Sequence, residues 1–399
     1  MPSSLESADA ETGGKLRVVH VITGLGLGGT EMVLHRLLAG MNSRRWTSAV
    51  VSLTTPGDMG DAIRSLGAPV HALGVRGLHS FPAAAIRLRK LLRAERPDVV
   101  QGWLYHGNLL ALAATRYRGR PALAWNLRSS RLDSPADRPQ VGAALRLSAP
   151  LSRRPQAVVV NSMAGLEYHT SLGYRPREWV LIRNGVDTKV FKPNPQTRDR
   201  IRGEIGVPKD ALLIGSVARF HPHKDHRALF IAAKGVLRRH PEAYLMLCGD
   251  GVESGNPEIA SWLRDDEMRE HYVLLGPRDD VPALMASMDL LAASSITEGF
   301  PNVVAEAMAC GVPCIVTDVG DSAALVGDTG RVVPPGDPQA LAAALMELIK
   351  AGPAVRERLG AAARRRIESE FSLPKMVSKY EELYLRLAQD RGAERLSQP

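Results

Sequence analysis

The stretch LRVVHVITGLGLGGTE, residues 16–31, decides the reading of the fold. A β-branched run enters a glycine-rich turn and passes directly into MVLHRLLAG, whose apolar residues recur with helical spacing. Strand, loop and helix in this order make the first half of a parallel βαβ unit. Gly24, Gly26 and Gly29 match G-x-G-x-x-G, whose glycines let the backbone approach a pyrophosphate at a helix N-terminus. A dinucleotide site of this kind also expects an acid about 20 positions further on, at the end of the second strand. Here that strand ends in Ser52-Leu53-Thr54-Thr55, and the nearest acid, Asp58, lies beyond it. An NAD-dependent oxidoreductase therefore stays only as an alternative, beside a loop that serves chain packing.

The same alternation continues outward on both sides. Strands are predicted at 16–23, 47–53, 98–103, 157–162 and 179–184, then at 212–218, 243–249, 272–276, 289–294 and 313–318, with helical patterns between them. Each half reads as a doubly wound α/β domain. A length of 399 residues, at roughly 150 per domain, agrees with two. The predicted layout is a disordered start (1–14), a first domain (15–187), a linker (188–208), a second domain (209–372), a C-terminal helix (373–390) and a disordered tail (391–399). Arg364, Arg365 and Arg366 read as a solvated helix face.

Composition narrows the class. With 45% hydrophobic and 23% charged residues the chain is globular. No apolar run approaches the ~18 residues needed to cross a bilayer, and residues 1–14 carry three acids and no apolar core. Three cysteines (Cys248, Cys310, Cys314) lack zinc-site spacing and cannot form a disulfide framework, so a cytoplasmic setting is expected. The net charge of +9 is local: residues 76–154 sum to +11, whereas residues 209–372 sum to −6. In AAAIRLRKLLRAERP, Arg87, Lys90 and Arg93 form a cationic stripe opposite Leu88, Leu91 and Leu92. That stripe is read as a solvated face or as a contact with anionic lipid; no zinc-finger spacing or RNA-binding aromatic motif supports nucleic acid.

Four further motifs carry chemistry. EGFPNVVAE places Glu298 and Glu306 on either side of a Gly-Pro turn that opens a helix, where exposed backbone amides favour an anion. Glu306 inside that helix suits a diol such as ribose, and Glu298 reaches toward the carboxyl ends of the strands. ARFHPHKDH supplies Arg219 and Lys224, a fork and a point charge for a diphosphate. Its histidines 221, 223 and 226 invite a metal, but no carboxylate or cysteine set accompanies them. WLYHGN places His106 after a strand of the first half.

Taken in order, GGTE at 28–31, His106, NGVD at 184–187, Arg219 with Lys224, and the Glu298/Glu306 pair resemble the retaining, nucleotide-sugar-dependent glycosyltransferases of the GT-B fold, sequence family four, also called group 1 glycosyltransferases. ARFHPHKDH and TEGFPNVVAEAMACGVP resemble the branch that assembles bacterial exopolysaccharide and lipopolysaccharide. The resemblance implies two Rossmann-like domains facing across a cleft, and a C-terminal helix crossing back to the first. It implies that Arg219, Lys224, Gly28, Gly29 and the turn Gly299, Phe300, Pro301 and Asn302 hold the donor diphosphate, that Glu306 holds the ribose, and that His106 and Glu298 lie at the donor sugar as catalytic groups. The expected donor is a UDP-sugar bearing a hexose or N-acetylhexosamine, and the expected acceptor a glycan, lipid-linked, at the inner face of the cytoplasmic membrane. No metal or other cofactor is expected, because no D-x-D occurs and the cations and helix dipoles replace one. A sugar-nucleotide epimerase of the same fold is the nearest rival.

Overall fold

The computed structural model describes residues 14–117, 120–130, 139–264 and 266–396. The expected disorder of residues 1–13 and 397–399 lies outside the described residues. One compact unit comprises the chain up to Arg183 together with the stretch from Leu373 onward, and the other comprises Asn184–Ser372.

The first unit holds a fully parallel sheet of β1 (Leu16–Ile22), β2 (Trp46–Ser52), β3 (Val70–Ala72), β4 (Val99–Trp103), β5 (Ala122–Leu127), β6 (Ala157–Val160) and β7 (Trp179–Leu181), in the order β3-β2-β1-β4-β5-β6-β7. Its helices are α1 (Gly29–Gly40), α2 (Met59–Ser65), α3 (Phe81–Glu95), α4 (Leu104–Ala114), α5 (Pro139–Leu151) and α6 (Met163–Ser171). The second unit adds α7 (Pro195–Glu204), β8 (Leu212–Val217), α8 (His226–Leu237), β9 (Ala243–Cys248), α9 (Pro257–Leu263), β10 (Tyr272–Leu274), α10 (Val281–Ser287) and β11 (Leu290–Ala293). It continues with α11 (Asn302–Ala309), β12 (Cys314–Thr317), α12 (Ser322–Val326), β13 (Arg331–Val333), α13 (Pro338–Lys350) and α14 (Pro353–Glu370). Its strands are parallel in the order β10-β9-β8-β11-β12-β13. The chain then enters α15 (Leu373–Leu396), which belongs to the first unit.

Alternate residues of each strand feed cores on opposite sheet faces. Val18 and Ile22 of β1 pack with α1, α2 and α15, whereas Val19 and Val21 pack with α3, α4 and α5. In α15, Met376, Val377, Tyr380, Leu383, Tyr384 and Leu387 recur at helical spacing and are buried. Each large apolar side chain contributes about 1.5–3 kcal/mol on burial. The two tyrosines meet polar groups on the sheet: the Tyr380 hydroxyl accepts from Asn126 Nδ2 at 2.9 Å, and Tyr384 donates to Gln101 Oε1.

Several expectations change. Residues 188–208 are no linker: Asn194 caps α7, Ile201 is fully buried, and Arg202 is buried with Asp289 at 2.7 Å and the Ser287 and Ala211 carbonyls as partners. Charged residues and turns hid this helix because its one buried guanidinium is matched by a carboxylate from β11's start. The division falls at 183/184, not after 187, since Val186 pairs with Ser372 inside the second unit. Arg364 and Arg366 are not a solvated face; they donate to the Ala309 and Leu325 carbonyls at the ends of α11 and α12, and only Arg365 is exposed. The tail expected to be disordered from 391 continues α15 to Leu396, as its helix-forming residues favour. Strands β3, β5 and β13 were not foreseen.

Candidate functional site

In an open parallel sheet, ligands bind beyond the carboxyl ends of the strands where the strand order reverses. In the second unit that point lies between β8 and β11, because β8 runs on to β9 in one direction while β11 leads to β12 in the other. The loop after β8 carries Lys224 and the loop after β11 carries Glu298, 74 residues apart in sequence.

Lys224 Nζ lies 2.5 Å from Glu298 Oε1, and Ser295 Oγ donates to the same oxygen at 2.7 Å. The backbones are tied as well. Ser294 Oγ donates to the Lys224 carbonyl at 2.8 Å, Ile296 N donates to the His223 carbonyl at 2.9 Å, and Thr317 Oγ1 from β12 donates to the Ser295 carbonyl at 2.5 Å. Asp225 adopts a left-handed backbone (φ 43°) and turns its carboxylate onto Ala228 N, capping α8. At φ 59°, Gly320 lets the chain after β12 pass so close that a Cβ would sit 2.4 Å from the Glu298 carbonyl oxygen.

Beside this pair lies a cavity of about 170 Å³ lined by Lys224, Ser294, Ser295, Glu298 and residues 300–304. The first turn of α11 forms one wall. Its N-cap residue, Pro301, offers no side-chain acceptor, so the leading amides of the helix are left to water or a ligand. A lysine, a carboxylate and uncapped helix amides around one cavity suit a phosphorylated ligand with hydroxyls.

The structure brings Lys224, Glu298, Phe300, Pro301 and Asn302 together at the cavity, with Gly299 in the same turn. The Phe300 ring is buried against Phe371, 5.9 Å between centroids, so this residue offers its backbone. Asn302 Oδ1 accepts from Asn184 Nδ2 at 2.7 Å, which joins NGVD to the turn. Glu306 is buried one turn deeper in α11, outside the cavity lining. Arg219, expected beside Lys224, is exposed and does not line the cavity; the backbone here runs against the chain after β9, with Ala218 N donating to the Cys248 carbonyl and Phe220 N to the Asp250 carbonyl. Sequence reasoning missed Ser294 and Ser295; the Ser-Ile-Thr-Glu spacing was the signal available.

The histidines of the loop separate. His221 and His223 stack edge to face at 4.8 Å, while His226 is buried against Phe220 and burial lowers its pKa to about 4. Among the described residues no group of three His, Cys, Asp or Glu side chains is placed to hold a metal ion.

In the first unit the reversal lies between β1 and β4. Gly28 and Gly29 follow β1 and begin α1; His106 follows β4 in the first turn of α4. Ile22 and Trp103, the last residues of the two strands, are register partners, so both loops leave the same edge. Gly107 allows the approach: a Cβ there would lie 2.6 Å from the Val21 carbonyl oxygen. Leu104 takes a left-handed backbone (φ 62°), a strained turn for a non-glycine residue placed two positions before His106. Burial lowers the pKa of His106, opposed by a hydrogen bond with the Gln140 backbone, so the ring is held neutral. The glycine loop is partly self-occupied: the Glu31 carboxylate reaches back toward Gly28, and burial raises its pKa against a bond to its own backbone amide.

Comparison with known proteins follows the same division. Residues 211–351 match the model for glycosyl transferases group 1, and residues 27–190 match the model for glycosyltransferase family 4. The chain is 37% identical over 138 residues to the putative glycosyltransferase EpsF of Bacillus subtilis, a stretch covering 35% of each protein. It is 29% identical over 211 residues to the N-acetyl-alpha-D-glucosaminyl L-malate synthase of Bacillus anthracis, 52% of this chain and 54% of that one. The aligned stretches thus span less than two thirds of either relative. Over 331 residues it is 23% identical to the Escherichia coli UDP-Gal:alpha-D-GlcNAc-diphosphoundecaprenol alpha-1,3-galactosyltransferase, covering 82% of this chain and 84% of that one. Among solved structures, Anabaena Alr3699/HepE in complex with UDP and glucose superposes with a TM-score of 0.77 at 22% identity, covering 92% of this chain and 99% of that one. Both units are Rossmann-like, and their structural neighbours are glycosyltransferases of the GT-B fold.

Proposed function

Since the chain belongs to the group 1 glycosyltransferase family, we propose that it transfers a hexose or N-acetylhexosamine from a nucleotide-diphosphate sugar, a UDP-sugar, onto a lipid-linked glycan in cell-surface polysaccharide synthesis. The observation that carries this reading is the Lys224–Glu298 pair beside the uncapped start of α11. In the reaction the bond between the anomeric carbon and the β-phosphate oxygen breaks, a bond to an acceptor hydroxyl oxygen forms, the hydroxyl proton departs, and the nucleoside diphosphate leaves with the electron pair. Charge grows on the leaving phosphate in the transition state, and fixed donors stabilise it where they need no reorganisation.

Lys224, Arg219 and the backbone of Gly299, Phe300, Pro301 and Asn302 serve that diphosphate, and Gly28 and Gly29 are assigned to it as well. Glu306 holds the ribose, and Glu298 meets the donor sugar. His106, neutral at physiological pH, acts beside that sugar as a hydrogen-bond partner or proton carrier. Anomeric configuration is retained, with no metal or other cofactor. The printed activity of the E. coli relative supports the lipid-linked acceptor, and UDP in the Anabaena complex supports the nucleotide. Work at the inner face of the cytoplasmic membrane accords with α3, where Ile86, Arg87, Lys90 and Arg93 are exposed. Among the described residues no helix is long and apolar enough to cross a membrane.

Donor consumption with a panel of UDP-sugars tests the assignment. Lys224→Ala is expected to cut transfer by about 100-fold or more, the scale of losing one transition-state donor, and Glu306→Ala to weaken donor binding and so cut transfer at sub-saturating donor. Full activity in both overturns it.

A further inference from the structure

A second hollow lies at the opposite edge of the first unit's sheet, where strands begin. It is lined by the ends of α4 and α5 and by the residues that lead into β5 and β6. Arg116, Arg120, Arg154 and Arg177 line it, with Gln156 and Thr115 and, among the described residues, no carboxylate. Its volume of about 140 Å³ is small beside the ~300 Å³ or more of ordinary organic-ligand pockets.

Two physical arguments bear on these arginines. Cations near helix C-termini interact favourably with the dipole, which accounts for one arginine at each of the α4 and α5 ends. That leaves Arg120 and Arg177, which precede β5 and β7. Arg177 Nε donates to the Arg153 carbonyl at 3.3 Å. The side chains of Arg116, Arg120 and Arg154 make no hydrogen bond or ion pair with another described residue; the Arg154 amide donates to the Leu151 carbonyl at 3.0 Å. Four guanidinium groups around one concavity repel one another, and each presents donors in a fork suited to phosphate oxygens.

We propose that this hollow binds a phosphate or diphosphate group, apart from the donor cavity of the second unit. Phosphate matches the site better than a carboxylate because four exposed arginines line a volume too small for a larger organic anion. The group comes either free in solution or on a lipid headgroup, since the cationic surface continues from here to Arg93 of α3, which lies over the Tyr117 ring at 5.3 Å, next to Arg116. The inference rests on this geometry and not on the transfer reaction.

Calorimetry on the full chain tests it. Arg219→Ala with Lys224→Ala removes the cations of the second unit, and pyrophosphate is titrated at constant ionic strength. Binding is expected to persist in that background and to weaken at least tenfold when Arg120→Ala and Arg154→Ala are added, with unchanged circular dichroism. Sedimentation with phosphatidylglycerol vesicles, with and without pyrophosphate, distinguishes the sources. A headgroup source makes vesicle binding fall with the Arg120/Arg154 replacements and with pyrophosphate as competitor; a free-anion source leaves vesicle binding dependent on Arg87, Lys90 and Arg93 alone, as Arg87→Glu, Lys90→Glu, Arg93→Glu will read. If neither pyrophosphate nor vesicle binding responds to Arg120→Ala and Arg154→Ala, the site does not exist.

Discussion

The two units put loops at the same place, past the carboxyl ends of the two strands flanking the reversal, yet they finish those loops differently. In the second unit the loops are bonded to each other through Lys224–Glu298, Ser294 to the Lys224 carbonyl, and Ile296 to His223. In the first, the glycine loop bonds instead to the chain after β2, through Met59 N to the Leu25 carbonyl and Leu53 N to the Ile22 carbonyl, both at 2.9 Å. Its tip stays open: Leu27 is 80% exposed. A geometry fixed before the ligand arrives costs little to organise when charge develops, whereas an open loop leaves room for partners of different shape. The difference teaches that the same topological position can be locked by bonds between its own two loops, as in the second unit, or left open at the tip, as in the first.

The underpinning of the second unit gives the sharpest test. Asp289 accepts from Arg198 and Arg202 and from Leu213 N, so Asp289→Ala strands a buried guanidinium and should destabilise the second unit by about 3–5 kcal/mol. Urea unfolding followed separately in each unit reads it; an equal loss in both would erase the distinction between them. In the first unit the comparable contact is neutral. Tyr384→Phe removes the donor to Gln101 Oε1, whose amide Nε2 already lacks a partner, and should cost about 1–3 kcal/mol.

Acid should separate the units further. Burial lowers His20 to about 3 and His169 to about 4 in the first unit, and His226 to about 4 in the second. Because these folded values lie below the unfolded value near 6.5, the unfolded chain binds more protons throughout that window. Their neutral burial is fully tolerated above about pH 6.5, and stability falls as pH drops from there toward 4, by up to about 1.4 kcal/mol per pH unit per histidine. Burial also lowers His35 and His106 in the first unit, so it should lose stability at least twice as steeply as the second; matching slopes would show that these histidines do not set the difference.

Much of this was legible in the sequence, for stated physical reasons. Strands such as Leu16–Ile22 and Leu212–Val217 are long β-branched or leucine-rich runs bounded by turns, and they were read to within a residue or two. Strand β5 was missed because ALAWNL is rich in alanine and carries no β-branched residue, although it is buried on both faces between β4 and β6. α7 was missed because its buried face includes an arginine. At the site, the residues with unusual chemistry, Lys224 and Glu298, were visible. Ser294 was not, since its role depends on the Lys224 carbonyl that folding brings from the loop after β8, whereas Ser295 sits three residues before its partner Glu298.

The route of the chain has a temporal consequence. About 190 residues, Asn184–Ser372, separate the two parts of the first unit, and synthesis at 5–20 residues per second takes roughly ten to forty seconds to cross them. Through that interval the sheet face carrying His20, Gln101 and Asn126 waits for Tyr380 and Tyr384. The unit that starts first on the ribosome is therefore the one completed last.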